Sequence, residues 1–211
     1  MRFSTIFFDL DGTLYPSSSG LWDAIKERMN MYMRDVLHIP AEDAPTVREQ
    51  YYKMYGTTLR GLIEHHKVDE QDYLAFVHDV PLKDFLTPNP QQREVIASLP
   101  QRKLVFTNAD IHHAQRVLSA LQLDDFFETI IDINAVAPYC KPNLESFAIA
   151  QELANEPDPR KCVMIDDLPR TTRAALQVGM ASILYGTEIP TEDASGVFND
   201  WNHLPILVAD E

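Results

Sequence analysis

Cysteine is scarce in this sequence, whose 211 residues include two, Cys140 and Cys162. Two isolated cysteines supply neither a disulfide framework nor the four ligands of a structural zinc site. We therefore expect both thiols to be reduced and packed beside the core, and we predict a cytoplasmic protein.

Long apolar runs are missing as well. No stretch is long enough to cross a bilayer, although 45% of the residues are hydrophobic. The N-terminus, MRFSTIFFDLDG, has no long apolar segment with a small-residue cleavage site, so no secretory signal is expected. We expect a globular protein without a membrane partner.

Basic residues are also few, with 18 lysines and arginines against 32 aspartates and glutamates and a formal net charge of -14. A surface this negative repels phosphate backbones, so a nucleic-acid polymer is not an expected partner. A small anionic substrate would need a local positive site. No heptad pattern or exposed apolar helix calls for an obligate protein partner.

Short apolar runs alternate with helical patterns along most of the chain. The runs have strand length and are rich in β-branched or aromatic residues: TIFF before Asp9, KLVFT ending at Thr107, TIIDI near Ile131, CVMID ending at Asp166 and ASILY ending at Tyr185. Helical patterns span 110–121, 143–153 and 170–178. The alternation predicts an α/β fold, with a doubly wound, mostly parallel sheet whose ligands bind at the carboxyl ends of the strands.

One interval, from about Gly20 to about Phe85, contains helix-compatible segments and no convincing strand. We predict that residues 1–16 and 88–211 form the catalytic core and that 17–87 form an all-helical cap inserted after the first strand. The tail from Gly186 is predicted to be rich in loops, with a candidate short strand at PILV.

The stretch IFFDLDGTLYP ends a strand-like run with two carboxylates, Asp9 and Asp11. Residues two apart on a strand point to the same side, so these side chains are predicted to face each other across a small volume. Like charges this close need a cation between them, and Mg2+ prefers carboxylate and carbonyl oxygens. Gly12 and Thr13 offer a sharp turn and exposed amides for an anion.

A second carboxylate pair, Asp166 and Asp167, ends the run CVMIDD. Alone, such a pair is as often a strand-end cap or turn. If its strand neighbours the first one, three or four acidic groups converge on one point, and a magnesium ion with a phosphate would balance their charge.

Candidate hydrogen-bond donors for an anion lie at two further places in the sequence, one neutral and one positively charged. Thr107 and Asn108 come directly after a predicted buried strand and offer a hydroxyl and an amide to an oxyanion, although such a pair is usually a helix cap. Lys141 precedes Pro142 at a helix start. A lone lysine is usually solvated, but this one could neutralise a phosphate and a nucleophilic carboxylate together.

These four motifs, in this order, resemble those of the haloacid dehalogenase-like hydrolase superfamily. They are DLDGT at 9–13, Thr107, Lys141 and the Asp166–Asp167 pair, and the resemblance covers the chain from about Phe3 to about Tyr185. It implies a Rossmann-like core in which Asp9 is the nucleophile that forms an aspartyl-phosphate and Asp11 is the general acid and then the base.

The resemblance also implies the ligand sets. Mg2+ would be held by Asp9, the Asp11 carbonyl and the pair Asp166–Asp167, of which Asp167 is the better candidate for direct ligation.

For the phosphoryl group, the implied binding residues are Thr107 and Asn108, with Lys141 offsetting the charge. The Gly12–Thr13 turn belongs to the same anion site.

Asp11 separates two chemistries of the superfamily. Dehalogenases lack an acid two residues after the nucleophile, because a halide leaves without a proton. Asp11 therefore favours hydrolysis of phosphoesters, and nothing in the sequence signals the product retention of a phosphomutase. The expected substrate is a small phosphorylated metabolite.

Three segments are similar to the pyrimidine 5'-nucleotidase branch of the superfamily: DLDGTLYP before the helical interval, YYKMYGTTLRGL within it and DVPLKDFLTPNP at its end. The resemblance implies a Mg2+-dependent phosphatase of nucleoside 5'-monophosphates, pyrimidine ones preferred. Aromatic or basic side chains that could stack on a base or bind a sugar are Tyr15, Trp22, Tyr55 and Arg60. The pairs His65–His66 and His112–His113 lack further metal ligands at a fitting spacing and are interpreted as surface residues.

Two other functions stay open. One is a phosphatase for a sugar phosphate, phosphoglycolate or another small metabolite. The other is a non-catalytic regulatory protein on the same fold, although such proteins usually lose a motif residue and none is lost here.

Overall fold

The computed structural model describes residues 2–209, which divide into two compact units. One unit combines the chain up to Ser18 with the chain from Leu86 onward, and the other is Ser19–Phe85. Within the described range, no helix is long and apolar enough to cross a membrane.

The first unit is built on a parallel sheet. The strands assigned in residues 2–209 are β1 Thr5–Phe8, β2 Asp11–Gly12, β3 Tyr15–Pro16, β4 Arg102–Phe106, β5 Thr129–Ile131, β6 Cys162–Asp166, β7 Ala181–Tyr185 and β8 Gly196–Phe198. Strands β2 and β3 pair only with each other, whereas the other six form one sheet in the order β5-β4-β1-β6-β7-β8. Every pairing is parallel, which confirms the predicted α/β fold.

The α-helices in the same range alternate with the strands of the first unit and make up the second. They are α1 Leu21–Asp35, α2 Ala44–Tyr55, α3 Thr58–His66, α4 Glu70–Val77, α5 Pro90–Ser98, α6 Ile111–Leu121, α7 Leu144–Leu153, α8 Pro169–Gln177 and α9 Leu204–Val208.

Strand β1 lies in the middle of the sheet because its apolar side chains, Ile6, Phe7 and Phe8, are all fully buried. Phe7 meets the ring of Phe106 on β4 edge to face at 6.4 Å, and Phe106 meets Phe147 of α7 in the same way at 5.4 Å. Edge-to-face contacts at these distances favour a defined packing of strand against helix. The core therefore fixes β1 between its two neighbours.

Both cysteines pack in this unit, as the sequence predicts. Cys140 and Cys162 are free thiols and are fully buried. Burial raises the pKa of the Cys162 thiol to about 12, so it stays protonated and behaves as a small apolar side chain.

The register of the sheet aligns the ends of β1, β4 and β6. Phe8 lies opposite Val105 on one side and Ile165 on the other. Parallel strands in register deliver the residues that follow them to one edge of the sheet. Asp9, Thr107 and Asp166 therefore emerge at the same edge.

The tail differs from the sequence prediction in two places. The segment PILV belongs to α9 and is not a strand, because Pro205 falls in the first helical turn, where its fixed φ suits a helix and its missing N–H has no cost. A strand does form earlier in the tail, where β8 pairs with β7 and Tyr185 lies opposite Phe198.

In the second unit, the elements assigned between Ser19 and Phe85 are all helical, which agrees with the absence of strand patterns there. Helix α1 packs on α4 through Tyr32, whose ring meets Tyr73 edge to face and whose hydroxyl donates to Asp72. Helices α2 and α3 approach closely at Gly61, where an added Cβ would lie 2.4 Å from Cγ of Tyr51.

Replacing Gly61 by alanine tests this close approach. Alanine normally favours a helix over glycine by about 1 kcal/mol. Here the new methyl group meets the root of the Tyr51 side chain, which cannot move without its backbone, and overpacking costs about 1–3 kcal/mol. We expect Gly61→Ala to lower the unfolding temperature, measured by circular dichroism. The exposed Glu64→Ala change in the same helix is the control, and a more stable Gly61→Ala variant would contradict the packing described.

Candidate active site

A buried lysine joins two carboxylates at the edge of the sheet. Nζ of Lys141 donates to Oδ1 of Asp9 and to Oδ2 of Asp166, each at 2.7 Å. All three residues are at least nine-tenths buried, with exposed fractions of 3%, 7% and 1% respectively. Asp9 follows β1, Asp166 ends β6, and Lys141 comes from the connection between β5 and α7. Residues far apart in the sequence thus meet at one point.

A third carboxylate, Asp167, completes an acidic group. One oxygen from each of Asp9, Asp166 and Asp167 lies within 4.8 Å of the others, so the group could hold a metal ion. Oδ1 of Asp167 is buried, and no other residue of the described chain donates a hydrogen bond to it. A buried carboxylate oxygen without a donor is costly, whereas a hard divalent cation such as Mg2+ would satisfy it.

The charges of these side chains also favour a bound cation. Burial raises the pKa of Asp9 well above its usual range; Lys141 opposes this shift, and the charges of Asp166 and Asp167 add to it. Burial, followed by the charge of Asp166, raises the pKa of Asp167 to about 7. Burial acts against the charged form of Lys141, yet Asp166 and Asp9 together raise the pKa of its ammonium group. One lysine is not enough for three carboxylates, so the site favours a further cation.

The turn after Asp9 shapes the other side of the site. The hydroxyl of Thr13 donates to Oδ2 of Asp9 at 3.0 Å, and Thr13 is fully buried. Gly12 has a φ of +99°, and a Cβ at this position would lie 2.4 Å from Oδ2 of Asp167. Glycine is therefore required here both by its backbone conformation and by the space that Asp167 occupies.

Thr107 and Asn108, the predicted phosphate-binding pair after β4, make different hydrogen bonds. Oγ1 of the buried Thr107 accepts from the amide of Ala109, which leaves its hydroxyl proton to donate elsewhere. The Asn108 side chain instead bridges the main chain of Lys141, donating to its carbonyl oxygen and accepting from its amide, both at 2.9 Å. Asn108 thus holds the segment that carries Lys141.

Asp11 is not one of the three carboxylates that lie within 4.8 Å of one another. Strand β1 ends at Phe8, so strand alternation does not extend to residues 9 and 11. The Asp11 carboxylate instead accepts from the hydroxyl of Tyr15 at 2.6 Å, and its Oδ1 lies 2.9 Å from Nε2 of His113.

Two expectations need correction. Tyr15 is buried and bonded to Asp11, and therefore is not a platform for a base. His113 is 1% exposed and not a surface residue, whereas its neighbour His112 is exposed. The signal for His113 was present in the sequence, because it lies four residues before Val117 on the apolar face of α6.

Arg60, Trp22 and Tyr55 belong to the second unit. Arg60 donates to Glu70 at 3.0 Å, and the hydroxyl of Tyr55 lies 2.6 Å from Nε2 of His65. Trp22 is about one-third exposed, at 37%. A role of these residues in substrate binding stays a prediction.

A family model described as haloacid dehalogenase-like hydrolase matches residues 3–179 of the chain, which include every site residue named above in the first unit. The chain belongs to this family.

Two relatives of this chain have names that mention phosphate or pyrophosphate. Phosphate metabolism protein 8 of Saccharomyces cerevisiae is 29% identical over 193 residues, which cover 85% of this chain and 60% of the yeast protein. The pyrophosphatase PpaX of Bacillus cereus is 25% identical over 173 residues, which cover 79% of this chain and 76% of PpaX. The chain thus spans less than two thirds of the length of the yeast relative.

Solved structures with the same fold include a haloacid dehalogenase-like protein of Streptococcus pneumoniae, with a TM-score of 0.65, 19% identity and 99% of both chains covered. A predicted phosphoglycolate phosphatase of Haemophilus somnus gives a TM-score of 0.64 at 19% identity, again with 99% of both chains covered. An L-2-haloacid dehalogenase of Xanthobacter autotrophicus gives 0.62 at 17%, with 98% of both chains covered. At these identities the likeness establishes the fold.

Replacing Gly12 by alanine should damage the acidic group through Asp167. The methyl group would collide with Oδ2 of Asp167 and displace it, so we expect Mg2+ affinity to fall about 10- to 100-fold in calorimetric titration of metal-free protein. Gly186→Ala is the matched control, since Gly186 also has a positive φ, of +90°, but nothing within 4 Å of an added Cβ. Equal Mg2+ affinity in wild type and Gly12→Ala would contradict the geometry.

Proposed function

We propose that the protein is a Mg2+-dependent phosphomonoesterase that works through an aspartyl-phosphate on Asp9. The observation that carries the proposal is the position of Lys141 Nζ, 2.7 Å from both Asp9 and Asp166. This contact places a fixed positive charge beside a buried carboxylate, which is what a nucleophile that attacks an anionic phosphate requires.

The metal fits the donor set of the site. The oxygens of Asp9, Asp166 and Asp167 would hold Mg2+, together with the main-chain carbonyl of Asp11. When bound, the ion supplies positive charge that keeps these carboxylates ionised and offsets the charge of the phosphate.

In the first step, a carboxylate oxygen of Asp9 attacks phosphorus and forms a P–O bond. The bond between phosphorus and the ester oxygen breaks, and its electron pair stays on the leaving oxygen. Asp11, in its protonated form, gives that oxygen its proton, so the product leaves as a neutral alcohol. Lys141 and Thr107 face the phosphoryl oxygens during transfer.

In the second step, Asp11 is a carboxylate and takes a proton from water. The water oxygen attacks phosphorus, and the P–O bond to Asp9 breaks with its electron pair returning to the carboxylate. Inorganic phosphate is released, Asp11 is again protonated and Asp9 is again ionised. Asn108 supports both steps by holding the main chain of Lys141.

The Asp9→Asn change tests the nucleophile. An amide oxygen does not form the acyl phosphate, so we expect kcat with an aryl phosphate and Mg2+ to fall by roughly four orders of magnitude or more, while circular dichroism shows a folded protein. Asp125→Asn, at an exposed position of the same unit, should retain full activity. Wild-type turnover in the Asp9→Asn variant would defeat the mechanism.

For the substrate, we propose nucleoside 5'-monophosphates, with pyrimidine ones preferred. The support is the resemblance of the segments 51–62 and 79–90 to the pyrimidine 5'-nucleotidase branch. The second unit, proposed as the cap, also carries an exposed aromatic side chain, Trp22, at 37% exposure. A cap with such a side chain suits a planar base.

A second candidate substrate is another small phosphorylated metabolite, such as a sugar phosphate or phosphoglycolate. It is favoured by the names of two similar proteins, the pyrophosphatase PpaX and the predicted phosphoglycolate phosphatase. A non-catalytic regulatory role is disfavoured, since Asp9, Asp11, Thr107 and Lys141 are all present.

A panel of phosphate esters separates these substrates. We expect kcat/KM for UMP or CMP to exceed that for purine nucleotides, sugar phosphates and phosphoglycolate by about tenfold or more, because a pocket that recognises a base rejects ligands without one. Phosphate release is measured with Mg2+ present, and pyrophosphate is included in the panel. A lead for phosphoglycolate or a sugar phosphate would replace the nucleotide proposal and leave the phosphatase proposal intact.

A further inference from the structure

Two buried side chains converge on one oxygen of Asp11. The hydroxyl of Tyr15 lies 2.6 Å from Oδ1, and Nε2 of His113 lies 2.9 Å from the same atom. Tyr15 is 2% exposed and His113 is 1% exposed, whereas Asp11 is half-buried at the edge of the site. The four superfamily motifs described above do not include either partner, although Tyr15 lies two residues after the first of them.

The histidine is held firmly by the start of α6. Oδ1 of Asp110 accepts from the amides of His112 and His113 at 2.9 and 3.0 Å, as an N-cap does. Oδ2 of Asp132 accepts from the amide of Ile111 at 3.0 Å. These first-turn amides are bound by carboxylates of the chain itself, so this helix end anchors His113 and does not present those amides to a phosphate.

The tyrosine reaches Asp11 from another element. Strands β2 and β3 pair in register, with Asp11 opposite Tyr15. This pairing brings Tyr15 next to Asp11, and the Tyr15 hydroxyl donates to the Asp11 carboxylate. The Asp11 carboxylate is therefore held by hydrogen bonds from two separate elements: Tyr15 belongs to β3, and His113 belongs to α6.

We propose that His113 and Tyr15 are positioning residues that fix the Asp11 carboxyl for proton transfer to the leaving oxygen. The inference rests on the proposed function, in which Asp11 is the acid and base. Oδ1 accepts both hydrogen bonds whether Asp11 is ionised or carries its proton on Oδ2. Both hydrogen bonds are therefore kept through the two steps of the reaction. Displacing a reacting group by about 1 Å can lower the rate about 100-fold. Hydrogen bonds that keep the Asp11 carboxyl in place therefore matter for the rate.

Comparing two kinds of phosphate ester as substrates shows whether His113 and Tyr15 position the acid or only stabilise the fold. An alkyl phosphate such as a nucleoside 5'-monophosphate needs a proton on its leaving oxygen, whereas an activated aryl phosphate releases a stable phenolate without one. The parameter kcat/KM reports the steps up to release of the leaving group. Its ratio between the two esters does not depend on the fraction of folded enzyme.

We expect His113→Leu to lower kcat/KM for the alkyl ester by about 10- to 100-fold, with a loss of less than about threefold for the aryl ester. His113→Gln should restore most of the alkyl activity, because its amide nitrogen can donate to Oδ1 from nearly the position of Nε2. Tyr15→Phe should shift the ratio in the same direction. The control His112→Leu, on the exposed neighbour, should leave the ratio within about twofold of wild type.

Equal losses for both esters in His113→Leu, or no loss in either, would overturn the inference while the phosphatase function stands. Failure of His113→Gln to recover any alkyl activity would overturn it as well, since the donor is then not what matters. A wild-type protein that hydrolyses neither ester with Mg2+ would overturn the proposed function first and the inference with it.

Discussion

The structure of the site depends on one buried cation, the Lys141 ammonium group, held between the carboxylates of Asp9 and Asp166. Removing one partner from a buried ion pair lowers the free energy of unfolding by about 3–5 kcal/mol, so this lysine also stabilises the fold. Since the group also contains Asp167, negative charge remains in excess. The shortage of positive charge explains why a metal ion suits the site.

Strand order makes this meeting possible. β1 lies between β4 and β6, so the residues at the ends of these strands share one edge of the sheet, although Thr107 and Asp166 lie 98 and 157 positions after Asp9 in the sequence. The turn after Asp9 adds the Thr13 hydroxyl and the Gly12 conformation, and Asn108 fixes the approach of Lys141. The site is therefore a product of the parallel topology and not of any single element.

Much of this arrangement could be predicted from the sequence, because buried strands are short apolar runs and the polar residues after them are conspicuous. The parallel sheet and the placement of Asp9, Thr107 and Asp166 at one edge follow from that pattern. The direction of a side chain beyond a strand end does not, so strand alternation could not predict the contacts of the Asp11 carboxylate with Tyr15 and His113. The segment PILV was misjudged because four residues do not separate a strand from a helix when a proline can begin either. His113 was missed because a pair of histidines was interpreted together, whereas helical periodicity buries one and exposes the other.

The most direct test of the central claim is to locate the transferred phosphoryl group. The Asp11→Asn variant is mixed with an activated aryl phosphate and Mg2+, quenched with acid, digested and mapped by mass spectrometry. Loss of the base slows hydrolysis of the intermediate, while an aryl leaving group needs no acid, so the intermediate should accumulate. We expect one phosphoryl group on the peptide that contains Asp9. Release of the phenol with the phosphoryl group on another residue, or with none bound to the protein, would contradict it.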